Sequence, residues 1–244
     1  MAERKRRRKG GGRSSKVAAR QSSSIGFTPF IERNIPYFEI LSEEGLALIE
    51  NNAEILLEEI GIDFRDFPEA LTLFRDAGAD IDGERVRFPR GLCRGIIQAS
   101  APSEYIQHAR NPKRNVIIGG PRTVLVPAYG SPFVRDLDNG RRYATIDDFR
   151  NFVKLAYMSP HLHHSGGTIC EPVDVPVNKR HFDMIYSHIK YSDKPFMGSV
   201  THPDRAADTV AMAKILFGDE FLKENTVLTS LINANSPLTF DATM

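Results

Sequence analysis

The sequence has no tryptophan, and its 244 residues hold two cysteines, Cys93 and Cys170. Two thiols cannot make a disulfide framework, which points to a reducing, cytoplasmic compartment. No apolar run reaches the roughly 20 residues that a membrane-crossing helix needs, so no membrane segment is expected. A nucleotide loop is also missing. Gly119–Gly120–Pro121–Arg122 follows an apolar run, but neither G-x-G-x-x-G nor G-K-[ST] continues it, and Pro121 removes a donor. It reads as a hairpin turn.

The overall charge of +1 conceals an uneven distribution. Residues 1–24 carry nine Lys/Arg against Glu3 alone, so the rest of the chain nets −7. With Gly10–Gly12 and clustered serines, residues 1–24 bury too little apolar surface to offset the entropy of ordering, and they read as a disordered basic extension. A twin-arginine export signal would need an apolar stretch behind the arginines, and none follows.

Residues 25–144 read as a helical and β-meander region. Ser42 caps a helix to Ile60, with Leu46, Ile49, Ala53, Leu56, Leu57 and Ile60 on one face and Gly61 as its stop. A second helix runs from Pro68 to Gly78, and a third from Pro89 to Ala99. Between them, Asp82–Gly83 makes a turn before a brief strand at Val86 and Phe88. Tyr105–His108, Val116–Ile118, Thr123–Val126 and Phe133–Asp136 are short, β-rich runs punctuated by Gly, Pro and Asn139–Gly140, which predicts antiparallel pairing.

Residues 145–244 read as the start of an α/β barrel. Thr145 with Asp148 forms a capping box for a helix reaching about Tyr157. Three apolar runs then end in polar, permissive residues: His161–Pro172, Lys194–Pro203 and Thr226–Leu238. Helices over Arg180–Tyr191 and Pro203–Phe217 separate them, and another is expected to start near Pro237. Parallel strands are expected only in this part. Strand, polar tip and helix in repetition describe a TIM-type (β/α)8 barrel or a doubly wound sheet, whose sites lie at the carboxyl ends of the strands. Three such units do not close a barrel, so the barrel reads as incomplete and the chain as the front part of a longer enzyme.

This places candidate substrate-binding residues at Glu171, Asp174, Ser199, Asn233 and Asn235, with His202 and Ser236 nearby. Two readings stand for Glu171 and Asp174: acid, base or counter-charge for a cationic substrate, or loop charge and helix cap. Asn233 and Asn235 suit a carboxylate or a corrin side chain, or capping; Ser236 favours the cap. His161, His163 and His164 precede Cys170 and Glu171, a set with zinc-binding residue types. On one strand, however, His164 would face away from the other two, and Cys170 lies too far along. The cluster reads as polar interior or interface, with no metal ligand assigned. Lys194–Pro195, at the amino end of a strand, reads as structural.

Several segments in order resemble one family. They are Glu54–Phe64 (EILLEEIGIDF), Asp82–Arg90 (DGERVRFPR), His108–Pro112 (HARNP), Arg135–Thr145 (RDLDNGRRYAT), His163–Pro176 (HHSGGTICEPVDVP), Ser192–Val200 (SDKPFMGSV) and Asn233–Asp241 (NANSPLTFD). Together, over about Phe38 to Met244, they resemble the amino-terminal part of the trimethylamine methyltransferase family, with the basic extension outside the match. The resemblance implies a TIM-type barrel. It implies transfer of a methyl group from trimethylamine, glycine betaine or a similar methylated amine to the cobalt of a corrinoid (cobalamin) carried by a partner protein, with none bound covalently in this chain. It assigns no catalytic residue here. A methylammonium group favours aromatic faces and carboxylates; Tyr129 and Phe133 are candidate walls, and Glu171 and Asp174 candidate counter-charges.

The alternatives are a nucleic-acid-binding protein led by the basic extension and an adaptor protein. The acidic body argues against nucleic acid. A homo-oligomer is compatible with the sequence.

Overall fold

A computed structural model describes Thr28, residues 31–234 and residues 236–242. The basic extension and Asn235 lie outside the described residues.

The first strand, β1 (Ile31–Glu32), is followed by α1 (Glu43–Ile55), capped where Ser42 Oγ accepts from Gly45 N. α1 runs on into a π turn, Leu56–Ile60, and Gly61 ends it at φ +74°. A Cβ at Gly61 would stand 2.3 Å from Val86 O, so only glycine lets the two backbones meet there. β2 (Ile62–Arg65), α2 (Pro68–Asp76), β3 (Asp80–Asp82), β4 (Arg85–Arg87) and α3 (Leu92–Ser100) complete the first unit. Its apolar centre is Ala79, Val86 and Phe88, packed by Leu57, Phe64, Leu71 and Phe74.

Next come β5 (Glu104–Gln107), a 3-10 turn (Pro112–Arg114), β6 (Val116–Gly119), β7 (Arg122–Thr123), β8 (Phe133–Asp136) and β9 (Gly140–Tyr143). β5–β6 and β8–β9 pair antiparallel, as the turn chemistry predicts, and β7 pairs antiparallel with β1, a strand the sequence did not mark. The turn at Gly120–Pro121 links β6 to β7 but closes no hairpin, since β6 pairs with β5 and β7 with β1.

The last part contains α4 (Ile146–Met158), α5 (Val177–Tyr191), β10 (Phe196–Met197), α6 (Pro203–Phe217), α7 (Asp219–Glu224), β11 (Leu228–Thr229) and β12 (Thr239–Asp241). The Thr145–Asp148 capping box forms in full at α4. A second core gathers Val134, Ala144, Phe149, Val153, Ile169, Cys170 and Met184 beneath α4 and α5. The result is a mixed α/β fold with several strand–helix units and open sheets.

Three expectations are corrected. The first of the three expected strands, His161–Pro172, is extended but irregular. Its Ser165 N donates to Pro195 O at 2.8 Å and its Gly166 O accepts from Met197 N at 2.8 Å. Gly166 at φ +92° bends the chain between these bonds and interrupts a regular ladder. Second, no helix begins at Pro237. Leu238 sits at φ +40°, outside the right-handed helical region, and Thr239–Asp241 continues as β12. Third, parallel pairing is not confined to the last part. β12 pairs in parallel with β2, setting Phe240 opposite Phe64 and tying the last described strand to the first unit. The alternating, β-favouring Thr239 and Phe240 complete an apolar cluster that β2 cannot close alone.

Candidate functional site

β10 and β11 pair in parallel, Phe196 with Leu228 and Met197 with Thr229. The 165–166 segment lies on the other side of β10. The three expected runs are therefore neighbours in sequence order. Within these runs Glu171, Ser199 and Asn233 come after the paired residues 165–166, Phe196–Met197 and Leu228–Thr229.

Their surroundings differ. Glu171 Oε2 accepts from Arg180 Nη1 at 2.7 Å, and the same guanidinium donates to Val175 O. Its negative charge is thus already matched. Asp174 Oδ1 accepts from Ile146 N at 2.8 Å, closing an open donor at the start of α4. The capping reading describes this contact, although the helix capped is the preceding one. Ser199 is tied through its backbone: its N donates to Thr209 Oγ1 at 3.2 Å, and its carbonyl accepts from the same hydroxyl. Asn233 is exposed. His202 Nδ1 accepts from Asp204 N and caps α6. Of the expected aromatic walls, Tyr129 packs at Gly167, while the Phe133 ring is covered by the Arg141 guanidinium at 3.8 Å.

The three histidines of the 161–164 run have separate partners. His161 Nδ1 lies 3.5 Å from Thr28 Oγ1, and His163 Nδ1 accepts from Leu125 N at 2.9 Å. His164 Nδ1 accepts from Gly166 N, which leaves Nε2 to donate to Gln107 Oε1 at 3.1 Å. Among the described residues, no group of three or more His, Cys, Asp or Glu side chains could hold a metal ion. Burial raises the Cys170 thiol to about 12, with the Asp148 and Glu171 charges adding to it, so it is no thiolate ligand or nucleophile at neutral pH.

Sequence reasoning missed the polar interior beneath this edge. Gln107 Nε2 donates to Phe196 O at 3.0 Å and to Val227 O at 3.4 Å, clamping β10 and β11 from beneath. His188 sits between Ser165 Oγ and Gly167 O, and burial lowers it to about 4. A void of about 10 Å³ lies behind the edge, between Gly167, Met197, Gly198 and the His181 and His188 rings. That is room for a single water at most. His181 Nε2 lies 2.9 Å from Asp208 Oδ2, joining α5 to α6. The polar run His163–His164–Ser165 was the available signal, since such residues inside a strand-like run need internal partners. No helix of the described residues is long and apolar enough to cross a membrane.

A family model described as trimethylamine methyltransferase (MTTB) matches residues 6–244. The match takes in most of the basic extension, which the resemblance had left outside. The chain is 46% identical over 211 residues to a glycine betaine methyltransferase of Desulfitobacterium hafniense (strain Y51), covering 86% of this chain and 44% of that protein. It is 36% identical over 87 residues to trimethylamine methyltransferase MttB of Desulfitobacterium hafniense (strain DSM 10664 / DCB-2), covering 35% of this chain and 17% of that protein. The chain thus spans less than half the length of these curated relatives. On the family match alone, which takes in nearly every residue, this chain belongs to the trimethylamine methyltransferase (MTTB) family.

Proposed function

We propose that this chain forms the first strand–helix units of a TIM-type barrel in a methyltransferase that demethylates a tertiary or quaternary methylamine. Family membership supports the reaction class. The parallel order of segment 165–166, β10 and β11, with Glu171, Ser199 and Asn233 beyond their carboxyl ends, is the observation that supports the site. Residues 25–144 then form the supporting region, and residues 145–244 the barrel portion.

The methyl acceptor is the cobalt of a corrinoid that arrives on a partner protein, so it enters as a substrate. The chain's own contribution is positioning. Glu171, Asp174, Ser199 and Asn233 line the substrate end of the edge; Asn235, proposed with them from the sequence, lies outside the described residues. Glu171, paired with Arg180, supplies a fixed carboxylate dipole toward an ammonium group. The Gln107, His164 and His188 network beneath holds the strands in register. A rigid edge matters because transfer needs carbon, leaving nitrogen and acceptor in line, and orientation supplies much of the acceleration in such displacements.

The test uses the full-length polypeptide with its corrinoid protein in the reduced state, given glycine betaine or trimethylamine. The expected products are dimethylglycine or dimethylamine, with methylated corrinoid in equal amount. No demethylated product from either amine overturns the reading.

A further inference from the structure

A cavity of about 410 Å³ opens between α4, β8 and the 162–170 run. Among the described residues that line it, none comes from β10 or β11. Its wall is apolar, formed by Phe133, Phe152, Leu155, Leu162 and Ile169. Cys170 adds a thiol that burial keeps protonated. Ser131, also in the lining, spends its hydroxyl on Phe133 O at 2.7 Å. None of the described lining residues is acidic, and the one charged group among them is Arg135.

A second cation stands beside it. Across β8–β9 the register partner of Arg135 is Arg141, and that of Phe133 is Tyr143. Strand alternation puts these four side chains on one face of the hairpin. The Arg141 guanidinium lies over the Phe133 ring at 3.8 Å, which holds it at the cavity rim. The neighbouring carboxylates, Asp136 and Asp148, are taken by Arg142, and among the described residues neither Arg135 nor Arg141 has an ion-pair partner. Like charges directly opposite each other on a ladder are unfavourable, and an anion set between them reverses the sign. Two guanidiniums beside a lining without a carboxylate repel any ammonium group, methylated ones included. A planar carboxylate, by contrast, matches the guanidinium fork. The volume falls at the low end of the roughly 300–1,000 Å³ of small-molecule sites, so the apolar body of the guest is ring-sized rather than a long acyl chain.

We propose that this cavity binds an organic monocarboxylate with a compact apolar body, of the arylalkanoate type. The body lies among Phe133, Phe152, Leu155 and Ile169, and the carboxylate meets Arg135 and Arg141 at the rim. In charge this ligand class is the opposite of a methylated amine, and no step of the proposed reaction uses the cavity.

The test is calorimetric titration of the full-length polypeptide with 3-phenylpropionate, beside its uncharged amide, 3-phenylpropionamide, and its cationic analogue, 3-phenylpropylamine. The acid is expected to bind at one site, and the amide about tenfold more weakly, as loss of a charge-assisted contact requires. The amine should not bind there. Arg135→Gln and Arg141→Gln are each expected to weaken binding of the acid about tenfold, for the same reason. Both side chains are exposed, so melting temperature and methyl transfer from trimethylamine should stay unchanged. No binding of the acid, equal binding of acid and amide, or acid binding that is unchanged in both variants overturns the proposal. Failure of methyl transfer in the parent would overturn the reaction reading and leave this binding result standing.

Discussion

Ser165 Oγ stands 2.7 Å from His188 Nδ1, and both side chains are buried. Because His188 Nε2 faces the Gly167 carbonyl at 2.9 Å, Nε2 carries the proton and Nδ1 accepts from the serine. The pair resembles a nucleophile and its base. However, neither group reaches solvent, and the imidazole is fully committed to two partners. Its role is to fasten α5 to the segment beside β10. His164, spent between Gly166 N and Gln107, does the same for β5.

Both imidazoles are therefore neutral in the fold, and this sets a pH dependence. Burial lowers His164 to about 3 and His188 to about 4, whereas an unfolded histidine titrates near 6.5. Below about pH 6.5 the unfolded chain takes up protons that the native chain refuses, so stability falls with falling pH down to about pH 4. Each group contributes a slope of at most about 1.4 kcal/mol per pH unit in that window. Urea midpoints measured from pH 7.5 to pH 4.5 should decline, and His188→Gln should decline less steeply. A flat profile for the parent would mean that these rings are solvated.

Lys194 is a second buried group with a complete set of partners. Its Nζ donates to the carbonyls of Ala156, Ser159 and Leu162 at 2.7, 2.9 and 2.6 Å, closing the carboxyl end of α4. Burial, aided by Arg114, lowers the ammonium to about 8. Lys194→Met keeps the aliphatic stem but strands three acceptors, and it should cost about 3 kcal/mol or more. Denaturant unfolding of the variant measures this. A loss below about 1 kcal/mol would mean that water replaces the ammonium.

Much of this architecture was legible, for reasons that differ by element. Ser42, Gly61, Thr145 with Asp148, and Pro203 mark helix ends through local chemistry, and the helices form where those marks stand. Lys194 read correctly as structural from its place at the amino end of a strand. β12 did not read as a strand, because three residues carry no periodicity and their pairing with β2 is set by Phe240 packing on Phe64, far away in sequence. The 161–172 run does not form a regular strand because Gly166, at φ +92°, bends it midway. The candidate edge followed from strand–helix alternation. The polar network under it did not, since Gln107, His164 and His188 meet only once the tertiary fold is formed.

An apolar surface leads to a prediction about association. No residue of α1 is buried, and Leu48 and Ile49 are 61% and 55% exposed on it. Phe38 and Ile40 precede it at 91% and 84%, and Leu231 and Ile232 stand open after β11. Exposed apolar side chains in such number are an association liability. The 244-residue chain by itself is expected to self-associate at micromolar concentration, with scattering that rises with ionic strength as charge repulsion is screened. A monodisperse monomer under those conditions would show that the surface is tolerated by water.

The two carboxylates past the first extended run can be separated by experiment. Asp174 accepts from Ile146 N at the start of α4, so Asp174→Ala should cost about 1 kcal/mol of stability, the usual value of a lost helix cap. Glu171 pairs with Arg180 at 2.7 Å, but its side chain is 41% exposed, so Glu171→Gln should cost less than about 1 kcal/mol. The order reverses for activity if Glu171 presents its carboxylate to the substrate ammonium. Glu171→Gln should then lower amine-dependent methylation of the corrinoid protein about tenfold, within the range of a lost charge-assisted contact. Asp174→Ala should lower it only as far as α4 loosens. Thermal melts and single-turnover methylation of both full-length variants give the comparison. If Glu171→Gln transfers methyl groups at the parental rate while Asp174→Ala melts early, both carboxylates are structural and the substrate ammonium is held elsewhere.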